Sequence, residues 1–135
     1  MVAVSLKKKQ VIKLLSICKN KLNPKGKIII LSLDPKRNEI PTFTLMKKKL
    51  RISLNKDEKL FNLIFKNKAK MNVKKFTYEV KILKNKYLQM IRNRYISTLL
   101  SLTEEQIADG IIEIKNNYKD KLEFKDKLIC FILKK

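Results

Sequence analysis

The strongest constraint in this sequence is the unbroken apolar run Ile28-Ile29-Ile30-Leu31, set directly behind Asn23-Pro24-Lys25-Gly26. A strand with one wet face alternates apolar and polar residues. Four apolar residues in succession suit a strand buried on both faces, as in a parallel sheet covered by helices. Upstream, Val11, Ile12, Leu14, Leu15, Ile17, Cys18 and Leu22 recur at helical spacing with lysines opposite them. Proline cannot continue that helix, and Gly26 is placed to supply a positive φ in the turn. Val2 to Ser5 reads as the end of an earlier strand, so the segment has the form strand, helix, buried strand.

The rest of the chain continues the alternation. Pro35 and Pro41 bound a loop over residues 34–41. Residues 43–52 and 57–65 read as two helices, and residues 67–72 as a turn. Phe76, Tyr78, Val80 and Ile82 alternate with Thr77, Glu79 and Lys81, which is the period of a strand. Residues 87–100 read as one helix or two short ones. Thr103-Glu104-Glu105-Gln106 has the spacing of a capping box and opens a helix through Ile107, Ile111 and Ile114 to about Tyr118. Residues 124–133 close the chain as a strand. Strands alternating with helices imply an α/β sheet with helices on both faces. Residues 27–33 are expected at its centre, flanked by the strands at 76–82 and 124–133, one of the last two strands running antiparallel. At 135 residues, the chain holds a single domain spanning residues 1–135.

Composition excludes several function classes. The sequence has no histidine, which removes the commonest general base and every Ser-His or Cys-His arrangement. Cys18 and Cys130 lie in apolar-patterned segments and read as reduced, buried thiols. No apolar run approaches the roughly 18 residues of a membrane span. The first residues do not form a signal peptide, which implies a cytoplasmic protein. The net charge of +21 invites a nucleic-acid reading, but all except four of the 33 basic residues are lysine. These lysines are dispersed along helical faces, where charge is ordinarily just solvated. Phosphate readers favour arginine forks and stacking aromatics. A small basic nucleic-acid-binding α/β protein is therefore an alternative reading, as is a non-catalytic partner subunit.

Two stretches carry a resemblance. Leu14 through Leu22-Asn23-Pro24-Lys25-Gly26 to Ile30 is similar to the passage of helix, L-x-P-G-G turn and fifth strand in class I S-adenosylmethionine-dependent methyltransferases, with Lys25 in place of the first glycine. Met90-Ile91-Arg92-Asn93-Arg94-Tyr95-Ile96-Ser97, followed by Leu102-Thr103-Glu104-Glu105, resembles the R-x-R-Y-x-S … L-[ST]-x-E-E region near the C-terminus of the small-molecule type. In that family a helix and a final strand follow, with an aspartate just before the apolar run, the place of Asp126. The resemblance implies a partial Rossmann-like sheet and a small-molecule methyl acceptor, with S-adenosylmethionine as cofactor.

The departure is as informative. The family's cofactor loop is glycine-rich, because the backbone must approach the ligand closely. This sequence has two glycines, Gly26 and Gly110, and no G-x-G. Read onto the family, Val2 to Ser5 is the fourth strand and the chain is a truncated or split methyltransferase. It would be inactive alone, and would pair with a copy of itself or with a complementing N-terminal half. No cofactor-binding residue is carried over. The resemblance places Arg92, Arg94 and Tyr95 over the acceptor pocket, where paired arginines suit a carboxylate or phosphate. Asp34 follows the expected central strand, where α/β proteins present ligand-facing groups. Tyr87 and Tyr118 read as core or rim.

Overall fold

The computed structural model describes residues 8–65 and 71–134, without the side chain of Ile64. Val2 to Ser5 and residues 67–70 of the expected turn lie outside the described residues. Helix α1 (Lys8–Lys21) leads into strand β1 (Lys27–Leu33), and α2 (Thr44–Phe65) precedes β2 (Met71–Leu83). Helix α3 (Lys84–Arg92), a 3-10 turn (Ser97–Leu99) and α4 (Glu104–Asn117) lead to the last strand, β3 (Lys121–Lys134).

The strands form a three-stranded antiparallel sheet in the order β1-β3-β2. This corrects the expected topology. Strand β3 is central, and β1 lies at the edge of the sheet among the described residues. Because β1 and β2 are each antiparallel to β3, they run parallel to one another without touching. The apolar run of β1 implied burial on both faces, and the structure covers only one. Ile28 and Ile30 pack inward, whereas Ile29 and Leu31 are 61% and 59% exposed. The run that receives cover on both faces is that of β3, flanked by a strand on each side.

Helices lie on both faces of this sheet. Side chains alternate along β3, and its even-numbered Leu122 and Phe124 join Phe43, Met46, Tyr87, Ile91, Leu99, Ile107 and Ile114 in the larger core. The odd-numbered Phe131 and Leu133 meet Leu15 of α1 and Phe65 of α2 on the opposite face. Helix α2 contributes Met46 to the first cluster and Phe61 and Phe65 to the second. It is one helix rather than two, because no proline or glycine interrupts residues 53–56 and Leu54 is buried between the halves. Phe76 and Tyr78, which the alternation had placed in a core, are 38% and 56% exposed.

Local chemistry explains the boundaries. Thr103 Oγ1 accepts from the Gln106 amide at 3.1 Å, and Gln106 Oε1 accepts from the Thr103 amide at 2.9 Å, closing the capping box that the sequence spelled out. Glu113 of α4 accepts from the amide and the hydroxyl of Thr44, capping α2 from a neighbouring helix. Neither glycine adopts a positive φ. A β-carbon at Gly26 would lie 2.9 Å from Leu22 Cδ2, and one at Gly110 would lie 2.6 Å from the Phe43 ring. Both positions are small because their neighbours are close, and the positive φ foreseen at Gly26 is not used.

Candidate functional site

The R-x-R-Y segment has a structural task. Helix α3 stops at Arg92, and Arg94 takes φ 53, the left-handed conformation that L side chains rarely adopt. That turn sends its guanidinium inward. Arg94 Nη1 donates to the carbonyls of Leu99 and Leu102, each at 2.6 Å, and Nη2 lies 3.0 Å from Glu104 Oε1. Arg94 thus ties the end of α3 to the 3-10 turn and to the start of α4. Arg92 stays on the exposed surface of α3. The two arginines do not form the paired clamp that their spacing suggested, since the Arg94 guanidinium is engaged by main-chain oxygens.

Tyr95 belongs to a hydroxyl network. Tyr87, 1% exposed, donates from its hydroxyl to the Pro41 carbonyl at 2.5 Å and accepts from Tyr95 Oη at 3.1 Å. Burial, then the neighbouring Tyr95, pushes the Tyr87 phenol far above its ordinary range. Burial also raises Tyr95, with the Asp126 charge adding to it and the Tyr87 hydrogen bond opposing it. Both phenols stay neutral at physiological pH, so the pair holds the 34–41 loop in place rather than moving protons. Tyr118 Oη meets the backbone of Thr42, pinning the residue that follows this loop. Asp126 Oδ1 is buried without a hydrogen-bond partner among the described residues, and burial raises its pKa.

Asp34 stands at the C-terminal end of β1 and is 2% exposed. Its carboxylate accepts from the Lys36 amide and from Arg37 Nε, each at 3.0 Å. Burial alone would raise its pKa; the amide, the guanidinium and the charge of Lys75 outweigh burial and hold it below the ordinary value. Beside Asp34 opens a cleft of about 580 Å³ between α2 and the odd-numbered face of the sheet. That volume lies within the range of small-molecule sites. Sequence reasoning singled out Asp34 but missed Phe61, Lys75 and Phe131, which reach the cleft from three separate elements. Nothing in their local sequence marks them; only the non-local pairing of β2 with β3 brings them together.

The cofactor implied by the resemblance finds no cradle here. Both glycines are crowded by side chains of this chain, so neither offers open backbone to a nucleoside or a methionine moiety. The residues present do not fit S-adenosylmethionine. Among the described residues no three acidic or cysteine side chains are grouped to hold a metal ion, and no helix is long and apolar enough to cross a membrane. Comparison of the sequence with protein-family models and with curated proteins finds no match.

Proposed function

We propose that these residues form the acceptor-side, C-terminal part of a Rossmann-like, class I S-adenosylmethionine-dependent methyltransferase, with the cofactor held by residues outside these 135. The observation that carries this reading is the sheet. Strands β1 and β2 run parallel and straddle the antiparallel β3, and a mixed sheet with one antiparallel strand in an otherwise parallel array is common among doubly wound folds. In this reading the parallel array continues beyond the outer edge of β1, which has no partner among the described residues. Helices that accompany such an array would cover Ile29 and Leu31, the second buried face that their sequence calls for. The tie from Arg94 to Glu104 gives the two halves of the R-x-R-Y … L-T-E-E resemblance a shared role in shaping the segment between α3 and α4.

Methyl transfer depends mainly on proximity and in-line approach of two substrates. This chain's residues would supply the wall against which the acceptor is placed, with the loop fixed by Tyr87 and Tyr118 on one side and Asp34 at the end of β1. The test is coexpression with the polypeptide encoded directly upstream, followed by calorimetric titration with S-adenosylmethionine. Binding by the complex and none by the 135-residue chain is the expected result. An upstream frame without a glycine-rich strand-loop-helix, or cofactor binding by the chain alone, would overturn the reading. A complex that forms without binding cofactor would favour a non-catalytic partner subunit.

A further inference from the structure

We infer that the cleft beside Asp34 binds a small aromatic monocarboxylate, its ring against Phe61 and Phe131 and its carboxylate on Lys75. The inference does not rest on the methyltransferase reading, since it concerns binding alone. The apolar end of the cleft is an aromatic group. The Phe61 and Phe131 centroids are 4.6 Å apart at 38°, and Phe65 stacks on Phe131 at 5.0 Å. A further planar ring extends such a cluster at ordinary aromatic spacing, about 4.5–7 Å between centroids.

The charged end fixes the sign and the number of charges. Asp34 is already satisfied by Lys36 and Arg37, and Glu58 lies 3.3 Å from Lys36 Nζ. Lys75 sits close enough to Asp34 to act on its charge, yet no carboxylate pairs with it within 4.0 Å among the described residues. One cation is thus available at a cleft that also carries two carboxylates. A monoanion gains Lys75 without approaching Asp34 and Glu58 closely. A phosphate chain or a nucleic-acid backbone brings more negative charge than Lys75 offsets, and an ammonium ligand meets Lys75 itself. Spacing fits as well. Val73, paired with Phe131, and Lys75, paired with Ile129, are two residues apart on one face of β2, which is roughly 7 Å. The Lys75 side chain, several bonds long and flexible, reaches back over that spacing to a carboxylate held one or two bonds from the ring.

The protein contains no tryptophan, so the fluorescence of an indole probe reports binding directly. Titration of the 135-residue chain into indole-3-acetate is expected to raise the probe's anisotropy saturably, with tryptamine at least tenfold weaker. Lys75→Glu, at an exposed position that leaves folding intact, should weaken indole-3-acetate at least tenfold. Lys81→Glu makes the same change in net charge on the same face of β2 outside the cleft, and should leave binding unchanged. Equal binding of tryptamine, equal loss in both lysine variants, or no saturable binding at millimolar probe would overturn the assignment.

Discussion

Replacing Arg94 with alanine should cost stability. The residue looks like a substrate clamp in sequence and like a brace in the structure, and the two roles predict different outcomes. Arg94 Nη1 serves two main-chain carbonyls, of Leu99 and Leu102, at 2.6 Å each. Both residues are buried, at 0% and 4% exposure, so Arg94→Ala leaves their oxygens with poor access to water. A hydrogen bond from a charged donor contributes about 1.5–3 kcal/mol, and the two share one nitrogen, so a loss of about 3 kcal/mol is reasonable. For a chain of this size that is a fall in Tm of roughly 10 °C. The left-handed φ of 53 adds a second signature. Arg94→Gly loses the same bonds but relieves about 1–2 kcal/mol of backbone strain, so it should be more stable than Arg94→Ala, the reverse of the usual order. Glu104 is 93% exposed, and Glu104→Gln should change little. Urea unfolding followed by circular dichroism measures all three variants. An Arg94→Ala chain with an unaltered midpoint would refute the brace.

Two further substitutions probe the core and the buried charge. Alanine normally stabilises a helix interior relative to glycine by about 1 kcal/mol, but Gly110→Ala places its β-carbon 2.6 Å from the Phe43 ring; a net loss of about 1–3 kcal/mol is expected, read as a lower urea midpoint. Burial raises the Asp126 pKa above the ordinary 3.8, so between the ordinary and the raised value the folded state keeps a proton that the unfolded chain has released. Stability therefore falls as pH rises through that window, and the deficit persists at neutral pH. Asp126→Asn should raise the Tm at neutral pH and flatten the fall; an unchanged pH profile would show that the carboxylate is solvated.

Some of this was legible in the sequence because its cause is local. The capping box at Thr103, the stop at Pro24 and the period-two strand through Val80 each depend on residues within a turn or two of one another. The place of β1 was not legible. An apolar run reports that both faces seek cover, and is silent on which strands provide the hydrogen bonds. Centrality went to β3 because Lys27 to Leu33 pair with Lys134 to Leu128, a match across about 100 residues that no window contains. The R-x-R-Y segment misled for a related reason. Whether an arginine points to solvent or back into its own chain depends on the φ of one residue, and the side-chain pattern does not encode that angle. The cleft is the extreme case, since Phe61, Lys75 and Phe131 are unremarkable until the sheet closes.

The exposed face of β1 raises the question of self-association, and charge decides it. Between residues 8 and 33 the chain carries seven lysines and no carboxylate. Ile29 and Leu31 lie within this segment, as do Ile12, Leu14 and Ile17, which are 45–48% exposed on α1. Two copies meeting along β1 would bury attractive apolar surface while bringing two all-basic segments together. Repulsion extends over a Debye length of about 10 Å at 0.1 M salt and about 3 Å at 1 M. The chain should therefore sediment as a monomer at low ionic strength and associate as salt rises, the opposite of an ion-pair dimer. Leu31→Lys should remove the salt-induced association without affecting the fold, because the 59% exposed side chain contributes little to it. A dimer present at low salt and indifferent to Leu31→Lys would refute this reasoning. The monomer expected at low salt is also the form whose β1 edge, without a partner among the described residues, would accept a chain of complementary, acidic surface, which under the proposed function is what the cofactor-holding half presents.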